Sequence, residues 1–269
     1  MSCYFRVCWF LWVGLFCQVA SLYQVASLYH VASAQKPPVG FTHYRVLSSP
    51  EAVQAAAATA DHVFAITSDK VAVYARRSGQ RIGVSTGPAR HLNSGLVWKG
   101  KLLCAHSNYP QLPEQSEVKV LDPLTLKLTT FKSLGDRGGS LTWIVRRGAH
   151  WLCNFARYDE HNHETFLVEF DAQFKELRRW TYPRSVIEKL GRFSLSGGVW
   201  YQDELLVTGH DDPIAFRLQL PQTGKQLKHL GSYPIPFSGQ GFAVDPVGGG
   251  LVGIHRARRQ VLFARRPVR

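Results

Sequence analysis

Four histidines stand at equivalent places along the chain, beside short apolar runs. His91 precedes such a run, whereas His106, His210 and His255 each follow one. Neutral imidazole is a common ligand of zinc and similar ions, so the four side chains together could hold one divalent metal ion. Histidine is also a general acid or base, and Asp211 follows His210 directly. The sequence therefore predicts catalytic roles for His106, His210 and Asp211, with one divalent metal ion as the cofactor.

Other polar side chains occupy the same places relative to the apolar runs. Turn chemistry alone favours Gly, Asn and Asp there, but it does not favour repeated histidines. We therefore predict that a further set contacts a small polar molecule or a glycan: Asn93, Asn108, Asn154, Arg157, Tyr158 and Gln240. In the alternative interpretation each histidine caps a strand and hydrogen-bonds a carbonyl. The same face would then belong to a non-catalytic module that binds a glycan or a protein.

Several common chemistries have no sequence support. The chain contains no G-x-S-x-G elbow, no phosphate-binding loop and no H-E-x-x-H motif. The formal net charge is +13, which can indicate nucleic acid or an acidic glycan. However, the basic residues are scattered and no aromatic-plus-basic motif for single strands occurs. Nucleic acid is therefore not an expected partner.

The chemistry-bearing positions are organised by a repeat. Pairs of serine and glycine recur at positions 94–95, 139–140, 196–197 and 238–239, with spacings of about 45, 56 and 42 residues. Each pair opens a run of Val, Leu, Trp or Phe that is too short for a helix and typical of a strand. A hairpin follows each pair, as in residues 116–133, where Asp122 and Pro123 form the turn. Each unit therefore reads as four antiparallel strands, the size of a β-propeller blade.

The repeat predicts an all-β, five-bladed propeller that occupies residues 41–269. Four units start near residues 91, 138, 194 and 237, and another precedes them at residues 51–85. The last unit is one strand short, and residues 41–47 form a surplus strand at the other end of the domain. Closing the ring would remove both free edges, so we expect the N-terminal strand to complete the last blade. An open or two-sheet β protein is the alternative.

Propeller geometry would bring the predicted site residues together. The first strand of each blade lines the central axis. The loop that enters this strand and the loop that leaves the second strand open on the same face. We therefore expect the histidines and their polar neighbours to converge there from several blades.

The N-terminal segment differs from the repeat. Residues 9–20 are largely apolar, too short to span a membrane, and Ala32-Ser33-Ala34 forms a cleavage site. Residues 1–34 therefore read as a signal peptide and residues 35–40 as a linker, which predicts a secreted or periplasmic monomer without membrane contact after cleavage. A duplicated QVASLY lengthens the segment, so an uncleaved anchor is the alternative.

Cys104 and Cys153 occupy the same place in consecutive units. Equivalent positions of adjacent blades diverge from the axis, which disfavours a disulfide. Two buried apolar thiols are the expected arrangement.

Four motifs carry a resemblance to known proteins: HLNSG at residues 91–95, GGSLTW at 138–143, SLSGGVW at 194–200 and DELLVTGHDDP at 203–213. They resemble a family of largely uncharacterised secreted bacterial propeller proteins, some of which carry automatic names such as cycloisomerase or endonuclease. The resemblance covers roughly residues 60–265 and implies the propeller fold. Five-bladed propellers elsewhere include plant-type glutaminyl cyclases, glycan-processing enzymes and lectins, so it implies neither an enzyme nor a binding module in particular.

Overall fold

The computed structural model describes residues 39–267 as five antiparallel four-stranded sheets, arranged as the blades of a β-propeller. The predicted fold class and blade number are thereby confirmed. The predicted signal peptide and most of the predicted linker lie outside the described residues. Within those residues, none of the helices has the length and apolar character needed to cross a membrane.

The strands follow the chain order from the axis outwards in four of the blades. Blade 1 contains β2 (Ala55–Ala58), β3 (His62–Ile66), β4 (Val71–Ala75) and β5 (Arg81–Val84). Blade 2 contains β6 (His91–Trp98), β7 (Lys101–Ser107), β8 (Ser116–Leu121) and β9 (Leu128–Gly135). Blade 3 contains β10 (Ser140–Arg147), β11 (His150–Ala156), β12 (Phe166–Phe170) and β13 (Glu176–Thr181). Blade 4 contains β14 (Gly197–Tyr201), β15 (Glu204–Thr208), β16 (Ile214–Gln219) and β17 (Lys228–Pro234).

Blade 5 is completed by the N-terminal strand. It contains β18 (Ala243–Val244), β19 (Leu251–His255), β20 (Gln260–Arg265) and, on its outer edge, β1 (Thr42–Ser48). Strand β1 pairs antiparallel with β20, from Thr42 opposite Arg265 to Ser48 opposite Gln260. The predicted closure of the ring is confirmed, and it removes the free edge that the last repeat would otherwise expose.

Local sequence explains the tight turns between first and second strands. Lys99 and Gly100, between β6 and β7, both have positive φ, at 50° and 75°. This combination belongs to the two-residue turn whose twist matches that of a β-hairpin, and glycine adopts it at no steric cost. Each blade therefore reverses direction within a few residues on this side of the ring, which we call the hairpin end.

The hydrophobic core lies between the blades. One cluster packs the strands of blade 1 against Leu92 and Leu102 of blade 2 and against Val252 and Ile254 of blade 5. Cys104 and Cys153 belong to such layers and are free and buried, as predicted. Burial raises the pKa of the Cys104 thiol to about 12, so this group stays protonated and behaves as an apolar side chain.

A buried ion pair joins the first and last blades at the hairpin end. Asp245, in the turn after β18, faces Arg76 in the turn after β4 with distances of 2.7 Å to Nη1 and 2.9 Å to Nη2. The hydroxyl of Tyr44 in β1 donates to the same carboxylate at 2.7 Å. The N-terminal strand therefore contributes both backbone pairing and a buried polar contact to the ring seam.

Candidate functional site

The candidate site lies on the face opposite the hairpin end. Here the chain enters the first strand of each blade and leaves the second, so we call it the entry–exit face. The predicted catalytic, metal-binding and ligand-contact residues all belong to segments of blades 2 to 5 that reach this face. The structure divides them into side chains that join blades, side chains that line separate cavities and side chains that form an aromatic cluster.

Buried amides on this face hold neighbouring blades together. Asn93 donates to the carbonyl oxygen of Leu141 in blade 3 at 3.1 Å. Asn154 donates to the hydroxyl of Thr142 at 2.8 Å and accepts from that of Tyr182 at 2.7 Å. Thr142 in turn donates to the carbonyl of Leu195 in blade 4 at 2.7 Å.

Gln240 has a similar role between blades 4 and 5. Its side chain donates to the carbonyl of His210 at 3.0 Å, and its own carbonyl accepts from Thr208 at 2.6 Å. Its φ of 66° is unusual for a residue with a side chain, and these bonds hold it there. Asn93, Asn154 and Gln240 were predicted as ligand contacts, but the structure buries all three and engages their amide donors within the protein.

His91 and His106 lie on opposite faces of blade 2. In the ladder between β6 and β7, His91 pairs with Ser107 and Leu92 pairs with His106. Because paired residues share a face and successive residues alternate, the two histidines point in opposite directions. Leu92 packs in the core shared with blade 1, so His106 faces blade 1. His91 contacts Tyr109, whose ring contacts Tyr158 of blade 3.

The ring of His106 accepts a structural hydrogen bond. The backbone N–H of Arg90 donates to its Nε2 at 3.0 Å, which places the ring proton on Nδ1. Glu117 lies 3.4 Å from Nδ1, but that buried nitrogen has no hydrogen-bond partner. Burial, with the nearby charge of Lys119, lowers the pKa of His106 to about 4. The neutral ring lines a cavity of about 520 Å³ together with Asn108 and Glu117.

His210 belongs to a different cavity, in blade 4. Its ring stacks on Phe193 with centroids 3.8 Å apart, and Arg256 approaches Nε2 at 3.0 Å. Asp211 lies 2.8 Å from Nδ1, although the two atoms do not have hydrogen-bond geometry. His210, Phe193 and Asp211 border a cavity of about 300 Å³. His210 and Asp211, predicted as a catalytic pair, are thus adjacent, whereas His106 lies in another cavity.

The fourth histidine, His255, ends β19 and has a buried Nδ1 without a hydrogen-bond partner. Among residues 39–267, no three His, Cys, Asp or Glu side chains are grouped as a potential metal centre. The geometry brings the predicted metal ligands into separate surroundings, and metal binding itself stays a prediction.

An aromatic cluster between blades 2 and 3 is the most unusual arrangement on this face. It consists of His91, Tyr109, Glu114, Ser140 and Tyr158, and we call it the tyrosine cluster. The ring centroids of His91 and Tyr109 are 5.3 Å apart, and those of Tyr109 and Tyr158 are 4.8 Å apart. Tyr109 is 40% exposed, so the cluster presents an aromatic surface to solvent.

A carboxyl oxygen within the cluster lacks a partner. Glu114 and the hydroxyl of Ser140 both lie near the hydroxyl of Tyr158. Glu114 Oε2 is buried and makes no hydrogen bond, although most buried polar atoms in proteins do. Burial raises the pKa of Glu114, and the nearby carboxylate of Asp136 adds to this effect against the opposing charge of Arg157. Burial also raises the pKa of Tyr158 and lowers that of His91. Several perturbed titratable groups in one place are typical of a functional site.

The remaining predicted ligand contacts shape the loops around this cluster. Asn108 accepts from the backbone N–H of Gln115 at 2.7 Å and donates to the carbonyl of Pro113 at 2.9 Å. Arg157 donates to the carbonyl of Gly138 at 2.9 Å and lies 3.2 Å from Glu164. Both side chains therefore fix the segments that carry Glu114 and Ser140.

Sequence reasoning missed Glu114 and Ser140 as site residues. Glu114 follows Pro113 in an irregular loop, where no strand periodicity indicates the direction of a side chain. Ser140 was noted only as part of a repeated pair with Gly139. The exposed aromatic Tyr109, at the end of an apolar run that already contains His106, was the available signal for this cluster.

Comparisons with known proteins identify the fold. No family model matches the sequence, and no curated protein matches it either. Among solved structures, the fold is similar to a glutaminyl cyclase from Myxococcus xanthus, with a TM-score of 0.59 and 9% identity over 84% of this chain and 95% of that one. A hydrazine synthase from Kuenenia stuttgartiensis matches at a TM-score of 0.47 and 8% identity, over 83% of this chain and 71% of that one. At such identities the first likeness shows a shared propeller fold, and the resemblance to secreted bacterial propellers stays a prediction.

Proposed function

We propose that the protein binds a small, hydroxyl-rich ligand of the carbohydrate class at the tyrosine cluster. The observation that carries this proposal is the combination of the buried, unpartnered carboxyl oxygen of Glu114 with the exposed ring of Tyr109. Aromatic faces provide apolar contact area, and the carboxyl oxygen offers a hydrogen bond that a sugar hydroxyl can complete. A ligand that makes this bond removes the desolvation cost of leaving the oxygen unpaired.

A panel of monosaccharides and oligosaccharides in a thermal-shift screen, followed by calorimetry on any hit, tests this proposal. Changing Tyr109→Ala should reduce the affinity for the hit by about tenfold or more, because the stacking surface is lost. Leu112→Ala is the matched control, since Leu112 lies in the same loop and is 82% exposed. If both variants lose the same affinity, or if Tyr109→Ala leaves the affinity unchanged, the ligand does not bind at the tyrosine cluster.

Acid–base catalysis on the bound ligand is a second candidate, and the raised pKa of Glu114 favours it. Raising the pKa of a carboxyl group towards the working pH makes it a better general acid. Glu114→Gln keeps the shape of the side chain but cannot exchange the proton. If the protein is an enzyme, this variant should retain ligand binding and lose turnover. If it is a binding module, no product should form with either protein.

The remaining predictions concern the cofactor and location. Elemental analysis of purified protein tests the predicted divalent metal ion at His91, His106, His210 and His255, and a stoichiometric ion would favour the enzyme. For secretion, we propose that the mature chain begins at Gln35, which intact-mass analysis checks directly. A chain that retains residues 1–34 would instead be anchored.

A further inference from the structure

A third cavity lies on the axis at the hairpin end, away from the tyrosine cluster and from the cavities of His106 and His210. Its volume is about 210 Å³, and all five blades contribute to its wall through the last residues of their innermost strands. Most of these side chains are apolar. Representative members of the wall are Ala58, Leu96, Val145, Val199, Trp200 and Val244.

Arg146 is the charged side chain in this wall. Its guanidinium stacks over Trp151 at 4.2 Å from the ring centroid and approaches Trp98 at 5.8 Å. Burial lowers the pKa of Arg146, and no acidic group opposes this effect. By contrast, Arg217 lies against Glu204, whose hydrogen bond raises the pKa of that arginine. Among residues 39–267, Arg146 has no carboxylate within 4.0 Å.

Asp245 is next in sequence to a residue of the cavity wall, but its carboxylate is directed away from the cavity. Asp245 follows the wall residue Val244, but its carboxylate is buried against Arg76 and Tyr44. Further positive charge surrounds the rim, where Lys99 lies over Trp98 and Arg147 lies over Trp200. Arg147 also lies 3.8 Å from Glu169, so Arg146 is the cation that is both unpaired and part of the wall.

We propose that this cavity binds a small organic carboxylate with an apolar tail. The tail would occupy the apolar wall, and the carboxylate would pair with the guanidinium of Arg146. A planar guanidinium suits a carboxylate because it can donate two parallel hydrogen bonds. Stacking on tryptophan holds the group in place before binding. The cavity is smaller than the roughly 300–1,000 Å³ of typical drug-sized sites, so a short tail fits best. This site is independent of the function proposed for the tyrosine cluster.

Isothermal titration calorimetry of the purified protein with sodium octanoate tests the proposal, with 1-octanol as an uncharged probe of the same tail length. Octanoate should bind at least about tenfold more tightly than octanol, since a charge-assisted hydrogen bond separates the two. Arg146→Gln should reduce octanoate affinity to the level of octanol, and Arg146→Lys should retain part of it. Arg77→Gln removes an exposed arginine from a turn at the same end and should change nothing.

A second variant tests the position of the tail. Val244 is 38% exposed at the cavity wall, so Val244→Trp can obstruct the cavity without replacing a core residue. It should abolish binding of both probes while the melting temperature stays close to that of the unmodified protein. Equal affinity for octanoate and octanol, unchanged binding in Arg146→Gln, or no octanoate binding at millimolar concentration would each overturn the proposal.

Discussion

The entry–exit face and the hairpin end use their polar side chains differently. On the entry–exit face, neutral side chains such as Asn154 and Thr142 join neighbouring blades through hydrogen bonds to hydroxyls and carbonyls. At the hairpin end, the cavity wall is apolar except for Arg146, and a buried ion pair between Arg76 and Asp245 joins the first and last blades. Both ends therefore stabilise the ring, but through contacts of different strength and different response to pH.

This difference separates architecture from candidate binding groups. On the entry–exit face, buried amides that looked suitable for a ligand are already engaged, whereas Glu114 retains an unpartnered oxygen. At the hairpin end, Asp245 is engaged and Arg146 is not. Polar groups that lack a hydrogen-bond or ion-pair partner are the better candidates for ligand binding, because a ligand can offset the cost of their burial.

Replacing Asp245 should have the largest effect on stability. Asp245→Asn keeps the volume but leaves the buried guanidinium of Arg76 without its counter-charge, which should cost about 3–5 kcal/mol in the free energy of unfolding. Chemical denaturation measures this loss. Glu188→Gln is the control, since Glu188 pairs with Arg184 at the exposed surface and such pairs contribute little. Comparable losses in both variants would remove the distinction between a buried seam and surface charge.

The same carboxylate should make stability depend on acid. Although burial alone would raise it, the pKa of Asp245 is lowered by hydrogen bonds from Arg76 and Tyr44. Because the folded pKa lies below that of the unfolded chain, this contribution is present above about pH 4 and is lost as the pH falls through the folded value. The Asn variant should lack that part of the acid dependence.

Replacing Asn154 should have the next largest effect. Asn154→Leu leaves the buried hydroxyls of Tyr182 and Thr142 each without one partner, which should cost about 2–3 kcal/mol in the free energy of unfolding. Asn108→Leu is the control, because Asn108 lies in a half-exposed loop. If Asn154 is instead a ligand contact, as the sequence predicted, its replacement should reduce ligand binding and leave the denaturation midpoint unchanged.

The sequence was informative about the fold because its signals are local. Short apolar runs, the turn at Asp122 and Pro123, and a surplus strand at residues 41–47 predicted blades and closure without any long-range information. The same reasoning predicted which segments reach the entry–exit face. Side-chain direction was harder, because a shift of one residue along a strand turns a side chain to the opposite face.

Blade 2 illustrates this limit. The pairing of β6 with β7 has an irregular register between Leu92 and Gly95. The usual alternation of side chains between the two faces of a strand therefore cannot be followed past Asn93 from the sequence alone. His91 and His106 looked equivalent because both border apolar runs, yet they face different blades. Glu114 was missed for the related reason that its irregular loop has no periodicity to read. Residues in a regular ladder were thus easier to place than residues in a bulge or a loop.

A third prediction concerns His106 and pH. Because burial lowers its pKa to about 4, below the 6.5 of an unperturbed histidine, the unfolded chain takes up this proton first. The contribution of His106 is therefore complete above pH 6.5 and is lost as the pH falls towards 4. His106→Gln should flatten the decline of unfolding free energy in that interval. An unchanged decline would show that other groups cause it.

The smallest effect on stability is expected for His210. Its ring is half-buried, stacked on Phe193 and approached by Arg256 at Nε2, so His210→Ala removes contacts at a solvated rim and should change the unfolding free energy by less than about 1 kcal/mol. Its cavity in blade 4 is separate from the tyrosine cluster between blades 2 and 3. We therefore expect His210→Ala to leave ligand affinity at the tyrosine cluster unchanged, as calorimetry with a confirmed sugar ligand would measure. Loss of binding in this variant, with its fold intact, would instead place the functional site at His210 and Asp211, as the sequence predicted, and would make the tyrosine cluster structural.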